Sequence, residues 1–575
     1  MASGRMRQLT LAGLALLLLG PAGRAQRFPV EGRQGMVVSA DAHASRVGME
    51  ILRKGGNAVD AAVAVGFALA VTYPIAGNLG GGGFMVVRMA DGAASVVDYR
   101  EQAPAAADRD LYLDESGEII PEASVLGYRA VGVPGTVAGL LLALETYGRL
   151  DLEEVLEPAR QLAAEGFEMS EAMARTLRVH GEALGRFPES RRIFLRDGAY
   201  WKAGDRFVQS DLAATIARIQ TSGRDGFYRG ETARLIAEAM AANNGLITLE
   251  DLAAYRPVVR DPLRGRYREY EVITMPPPSS GGIALLQMLQ MLEPHDLGRM
   301  GFGGSETIHL MTEAMRRAFR DRAEFPGDPA FVDIPVTALI SGEYAARRMA
   351  DFDPGRASMS AETQPGDPWA SESTETTHFS IVDADGNAVS NTTTLNAQYG
   401  SKVTVPGTGV LLNNEMDDFT SKPGVANFFG LIQGEANSIE GGKRPLSSMT
   451  PTVILRDDEL FMVIGSPGGP KIINIVLQVL LNVVDHGMNL QEAIEAPRIH
   501  HQWMPDELRF ERLALAPDVA RALEDRGHRL VPFIDNPPRD KPYWGDAAGI
   551  IVDPQSGLRQ GAADPRNPRA TAVGY

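Results

Sequence analysis

The chain changes character at one point. Up to about residue 370 its periodicity is mainly helical, interrupted by turn signals such as Pro134-Gly135, Pro276-Pro277-Pro278 and Ser280-Gly281-Gly282. A polar, weakly patterned stretch, 359–375, follows. From Thr376 onward the pattern is of short strands paired across turns: 378–382 with 388–395 around Asp385-Gly386, and 452–455 with 460–465 around Asp457-Asp458. A late strand is expected at 549–552, and an apolar helix at 471–486 can cover one face of a sheet. Near the N-terminus, Ser39 or Asp41 caps a helix at about 42–54. Asn57 caps an apolar helix ending near Pro74, and a hairpin pairs 84–89 with 94–100 around Asp91-Gly92. Helices and mostly antiparallel strands in this order imply an α+β protein with helices packed on stacked sheets. If the early hairpin joins the later strands, residue 376 lies inside one fold and is not a domain boundary.

The run at that point is Thr376-Thr377-His378-Phe379-Ser380. Two readings fit it. A threonine pair suits the start of any strand. Alternatively, cleavage between Glu375 and Thr376 would make Thr376 an N-terminus, giving one residue both a hydroxyl nucleophile and a free amine to act as its base.

Composition narrows the classes. Arg5 and Arg7, an apolar core at 9–19 and Gly23-Arg24-Ala25 read as a secretory signal over residues 1–25, because about eleven apolar residues are too few to span a bilayer. The second apolar run, 58–73, carries Asp60 and reads as a buried helix. There is no cysteine, hence no disulfide, cysteine nucleophile or thiolate metal site. No HExxH motif is present, no metal or cofactor is expected, and the adjacent His500 and His501 read as structural or surface residues. With 56 basic and 73 acidic residues the net charge is −17, which disfavours nucleic acid as a partner.

Several runs, in order, carry a resemblance: Gly55-Gly56-Asn57-Ala58-Val59-Asp60-Ala61-Ala62, Gly80-Gly81-Gly82-Gly83-Phe84, Arg100-Glu101, Val133-Pro134-Gly135 and Thr376-Thr377-His378. They continue with Asn413-Asn414-Glu415-Met416-Asp417-Asp418-Phe419, Arg444-Pro445-Leu446-Ser447-Ser448-Met449 and Gly465-Ser466-Pro467-Gly468-Gly469. Together they resemble the γ-glutamyltransferases (glutathione hydrolases), which are N-terminal-nucleophile hydrolases. The resemblance spans about 35–575. It implies a four-layer αββα sandwich formed by two chains from one precursor: a signal peptide at 1–25, a large subunit at 26–375 and a small subunit at 376–575.

The resemblance makes Thr376 the nucleophile and Thr394, on the partner strand, the residue that orients it. Gly468 and Gly469 precede Pro470 and a helix. By residue type they fit a simple turn, or a pair of N–H groups at a helix's positive end that suits an oxyanion; the family pattern selects the second. Arg100, Asn396, Glu415, Asp418, Ser447 and Ser448 become the readers of a γ-glutamyl head, Arg100 for its carboxylate and Glu415, Asp418 and Asn396 for its ammonium. Without the family, a strand-end arginine and an acidic pair would be solvent-facing charges. Residues 423–434 match a lid loop, with Phe429 where some bacterial relatives carry a tyrosine. The implied activity is γ-glutamyl hydrolysis and transfer from glutathione or related compounds to water, an amino acid or a dipeptide, in an exported, periplasmic enzyme with no membrane span after signal removal. Two alternatives remain: a glutaryl-amide (β-lactam side chain) acylase on the same fold, and an unprocessed periplasmic γ-glutamyl binding protein.

Overall fold

Val37 and Val38 are neighbours in one strand and lie in different cores, and this alternation builds the architecture. The computed structural model describes residues 28–365, 377–422, 424–428, 430–432, 434–533 and 544–575. The signal segment 1–25, Glu375, Thr376 and Phe429 lie outside the described residues. In the strand Met36–Ser39, Val37 packs among helices, whereas Met36 and Val38 face a second sheet. The same period of two recurs in Gly82–Arg88, where Met85 and Val87 turn to the helices and Phe84 and Val86 to the other sheet.

Two seven-stranded sheets result, and every named pairing within them is antiparallel. One runs Thr571–Gly574, Met36–Ser39, Thr377–Val382, Ala388–Thr394, Gly82–Arg88, Ala94–Asp98, Val258–Arg260. The other runs Val30–Gly32, Arg559–Ala563, Ala548–Val552, Glu459–Gly465, Thr452–Arg456, Tyr270–Thr274, Leu263–Tyr267. A dry layer including Val38, Phe84, Ile273, Val453, Val463 and Ile550 separates them. Helices Ala42–Arg53, Ala58–Thr72 and Thr136–Tyr147 cover the first sheet, and Gly281–Leu292, Ser305–Arg322 and Lys471–Val484 cover the second. The layers are helix, sheet, sheet, helix, as expected.

Both sheets contain strands from before and after residue 376, so the early hairpin does join the later strands. Three strands were not legible in the sequence: Val258–Arg260, Leu263–Tyr267 and Tyr270–Thr274 fall in the stretch read as mainly helical. They are short and punctuated by Pro257 and Pro262; the first two lie at sheet edges, and Tyr270–Thr274 lies one strand in. Arg559–Ala563 and Thr571–Gly574 were also missed, since neither alternates cleanly.

The apolar run forms the helix Ala58–Thr72, buried along its whole length. Asp60 fits there because it closes a capping box. It accepts from the Asn57 N–H at 2.7 Å and also from the N–H groups of Arg149 and Leu150, at 2.9 and 3.1 Å. Among the described residues no helix is long and apolar enough to cross a membrane. Asp60→Ala removes a cap and strands two backbone donors, so urea unfolding should show a loss of about 2–4 kcal/mol, with Asp60→Asn intermediate.

Candidate active site

The hairpin after residue 376 sets the site. Thr377 pairs with Thr393, His378 with Thr392 and Phe379 with Asn391, which leaves Thr394 at the far end of the partner strand. Thr394 pairs in turn with Gly82. The glycine run has a steric reason here: a Cβ on Gly81 would lie 1.9 Å from the Thr394 carbonyl oxygen. Thr394 Oγ1 accepts from the Asn396 N–H at 2.7 Å, and its carbonyl accepts from Asn78 Nδ2 at 2.6 Å. His378, the other candidate base in this run, is held neutral: burial drives its pKa down to about 3. Its ring nitrogens sit 2.9 Å from Thr392 Oγ1 and 3.0 Å from Ser380 Oγ. It packs the two sheets together, because a Cβ on Gly465 would meet its ring at 2.4 Å.

The strand Glu459–Gly465 of the second sheet leads directly into Ser466-Pro467-Gly468-Gly469. Gly468 and Gly469 have φ of +136° and +63°, and the helix Lys471–Val484 follows. Their carbonyls start that helix, accepting from Lys471 and Ile472 at 3.3 and 3.0 Å. Among the described residues neither glycine N–H has an acceptor, so both donors remain at the helix's positive end.

Arg100 lies just past the strand Ala94–Asp98 and is fully buried. Its Nε donates to the Pro445 carbonyl and Nη2 to the Leu446 carbonyl, each at 3.0 Å. Nη1 pairs with Glu415 and Nη2 with Asp418. Glu415 and Asp418 begin and end one 3₁₀ turn, whose three-residue period aligns their side chains on one face. The charges expected to read opposite ends of a ligand are therefore paired with each other. Burial works to lower the Arg100 pKa, but Glu415, Asp418 and Glu101 outweigh it and keep the guanidinium charged.

Glu101 completes the cluster and was not singled out from sequence. Strand alternation would put it on the opposite side from Arg100, but the strand ends at Asp98 and both side chains turn inward. Its Oε2 lies 3.7 Å from Arg100 Nη1, and both residues are fully buried. Burial raises Glu101 to about 7 and also pushes Glu415 well above the usual carboxylate range, each countered by Arg100. Asp417, between Glu415 and Asp418, faces elsewhere: it accepts from Ser124 Oγ at 2.7 Å and from the Phe428 N–H.

Asn396 adopts φ +69° and donates from Nδ2 to the Asn414 carbonyl at 2.9 Å. This fixes the amide so that Oδ1 is a buried acceptor with no partner among the described residues. Ser447 and Ser448 are fully buried beside the carbonyls that hold Arg100. Ser447 Oγ accepts from the Met449 N–H, and Ser448 Oγ accepts from Arg322 Nη2. Arg322 was also missed. It ends the charge-rich helix Ser305–Arg322, in which Arg316, Arg317 and Arg322 are all buried. Of the residues named from sequence, the structure brings Arg100, Glu415 and Asp418 into direct contact. Asn396 joins them through Asn414, whose carbonyl it bonds, and Ser447 and Ser448 join through the neighbouring 445–446 carbonyls.

Removing the shared cation should be severe. Arg100→Met leaves three buried carboxyl groups without their partner, and urea unfolding at pH 8 should show a loss of about 3–5 kcal/mol. Burial already raises Glu101 and Glu415 against the pull of Arg100, so without the cation their folded-state pKa values lie still further above the unfolded ones. Their protonation then favours the fold at low pH, so the deficit should shrink at pH 5.5.

Similarity to known proteins agrees with this geometry. The γ-glutamyltranspeptidase family model matches residues 44–574. The glutathione hydrolase proenzyme of Escherichia coli (strain K12) is 47% identical over 548 residues, covering 95% of this chain and 93% of that protein. The Acylase ACY 1 proenzyme of Pseudomonas sp. (strain SE83) is 41% identical over 513 residues, covering 88% and 89%. Among solved structures, the cephalosporin acylase from Bacillus halodurans superposes with a TM-score of 0.85 at 27% identity, covering 98% of this chain and 99% of that one. The chain belongs to the γ-glutamyltranspeptidase family.

Proposed function

We infer that the protein is an autoprocessed γ-glutamyl hydrolase and transferase acting on glutathione and related γ-glutamyl compounds. The observation that carries this is the buried cluster of Arg100 with Glu415, Asp418 and Glu101, a pocket with one fixed cation and several carboxylates. A γ-glutamyl head is a zwitterion. Its carboxylate can replace the internal anions on Arg100, and its ammonium can take the carboxylates so released, with Asn396 Oδ1 as a further acceptor. A glutaryl group has no ammonium, and would leave Glu415 and Asp418 with nothing to read. The similarity to an acylase proenzyme therefore weighs less than the acidic side of this pocket.

The proposed sequence begins with cleavage before Thr376: its hydroxyl attacks the Glu375 carbonyl, the peptide C–N bond breaks to leave an ester on Thr376 Oγ, and water hydrolyses that ester to a Glu375 carboxylate, freeing the Thr376 hydroxyl and amine. This separates a large subunit, 26–375, from a small one, 376–575. The freed amine of Thr376 has a reference pKa of about 7.7–8.0 and serves as the base. Thr376 Oγ attacks the γ-carbonyl carbon and passes its proton to that amine. The oxyanion rests on the N–H groups of Gly468 and Gly469, each such donor typically contributing about 3 kcal/mol. The C–N bond breaks as the amine returns the proton to the leaving nitrogen. Water, an amino acid or a dipeptide then attacks the γ-glutamyl ester, and the same amine takes the proton and restores Thr376. Thr394 orients the nucleophile, Ser447 and Ser448 add hydrogen bonds to the head, and the 423–434 loop with Phe429 covers it. Residues 1–25 direct export to the periplasm and are removed.

Wild type should run as two bands on a denaturing gel, and Thr376→Ala as one inactive band. A single uncleaved wild-type band with full turnover would refute the mechanism. γ-Glutamyl p-nitroanilide should be cleaved much faster than its glutaryl analogue; the reverse order would favour the acylase reading.

The pocket also has a pH signature. Glu101 is lost as a carboxylate when pH falls through about 7, and with it a counter-charge for the substrate ammonium. KM for the γ-glutamyl donor should therefore rise from pH 8 to pH 6. In Glu101→Gln it should already be high at pH 8 and stay nearly flat over that interval.

A further inference from the structure

A separate group of buried titratable side chains lies where the helix Ser305–Arg322 meets the turn after the helix Pro517–Asp525. His309 Nδ1 is 2.7 Å from His528 Nε2, and His309 Nε2 is 2.8 Å from the Asp353 carbonyl oxygen. A carbonyl only accepts, so His309 carries its proton on Nε2. Its Nδ1 is then a lone pair, and His528 Nε2–H donates to it. Glu313 follows His309 by four residues and shares its face of the helix. His309, Glu313 and His528 are all buried, and one ligand atom from each lies within 4.8 Å of the other two.

We propose that His309, His528 and Glu313 form a binding site for one divalent transition ion of the zinc class, joining segments from either side of residue 376. The arrangement has what such a site needs. The ring nitrogen of His309 away from the site is anchored by a backbone carbonyl, which fixes the ring's orientation and its tautomer. Zn–N bonds of about 2.0–2.1 Å place tetrahedral ligands about 3.3 Å apart, so the two ring nitrogens need separate by only about half an ångström. The proton now between the rings moves to His528 Nδ1 by a tautomer change, with no net release. Burial lowers the pKa of both imidazoles, His528 to about 3, so protons do not compete for the ligands at neutral pH.

The charges nearby decide which ions fit. Glu313 is ionised and already held by two arginines. Its Oε2 takes Arg317 Nη1, while Oε1 has only longer contacts, at 3.2 Å from Arg316 Nε and 3.2 Å from the Ser358 N–H. Oε1 is therefore the oxygen a cation can draw away. The guanidinium groups oppose a divalent charge, and two imidazoles must supply most of the affinity. Ions that need an oxygen cage, Ca²⁺ and Mg²⁺, are disfavoured, and Zn²⁺ or Co²⁺ is favoured. A chain without cysteine has no thiolate to compete for such an ion, and no disulfide to tie these segments together.

The test uses the full-length purified protein, stripped with chelator and dialysed against Zn²⁺ or Co²⁺. One zinc per chain should be retained in the presence of Mg²⁺ and Ca²⁺, and Co²⁺ should give the visible bands of a tetrahedral site. Both signals should vanish in His309→Gln and His528→Gln and persist in His486→Gln, which lies elsewhere. No retained zinc, or equal retention in all three variants, would overturn the proposal. If the glutamine variants fail to fold, X-ray absorption on zinc-loaded wild type decides the matter: two imidazole ligands support the site, and fewer than two refute it.

Discussion

The buried guanidinium of Arg100 is the constraint around which the candidate site is organised. It joins three stretches that are far apart in sequence: the end of an early strand, the 415–418 turn and the 445–446 backbone. Each gives it something different. The turn supplies two carboxylates, the 445–446 backbone supplies two carbonyls, and the adjacent Glu101 supplies a third acid. A cation taken out of water is tolerable only with such compensation, and the acids in turn are tolerable only beside it. Under the proposed function, such a cluster can exchange partners. A zwitterionic ligand can replace internal ion pairs with external ones at little electrostatic cost, whereas a ligand with a single charge leaves part of the cluster uncompensated. Selectivity for a head group with both charges follows from desolvation as much as from attraction.

The sheets explain how such a site can survive a break in the chain. Thr377–Val382 and Ala388–Thr394 are flanked on both sides by strands from earlier in the sequence, Met36–Ser39 and Gly82–Arg88. The two sheets press His378 against Gly465 at the junction. A cut before residue 376 removes one covalent link, while the ladder of backbone hydrogen bonds and three apolar layers remain. The same interleaving makes assembly non-local: the 377–394 hairpin cannot complete its sheet until strands about 300 residues earlier are in place, a loop-closure demand that favours folding as one precursor.

Some of this was legible in the sequence and some was not, for identifiable reasons. Period-two alternation in 378–394 and 452–465 revealed the central strands, because those strands have two different apolar faces to fill. The caps at Asp41 and Asn57 were readable because capping chemistry is local. The three strands within 258–274 were not, since they are only three to five residues long and prolines break the run, leaving too little apolar alternation to display. Glu101 and Arg322 were hidden by the same rule that usually works: charges beside a strand end or on a charged helix face are normally in water. His500 and His501, read as structural or surface residues, are fully buried. His500 Nδ1 sits 2.7 Å from Asn474 Nδ2, and His501 Nε2 lies 3.1 Å from Asp506, so theirs is the structural role.

Arg322 shows how the two sides of the pocket differ in kind. On the Arg100 side, charges meet charges, and protonation can shift with what is bound. On the serine side, Arg322 is buried against Phe319, with its guanidinium carbon 5.4 Å from the ring centroid, and burial pushes its pKa well down. Its Nη2 donates to Ser448 Oγ, which commits a lone pair of that hydroxyl and leaves its proton to point away from the guanidinium. A neutral serine is thereby given a fixed donor direction and a positive charge behind it. That combination suits one oxygen of a carboxylate without adding another mobile ion to an already crowded cluster. Under the proposed function, the rigid side would orient the head group and the titratable side would meet its charge.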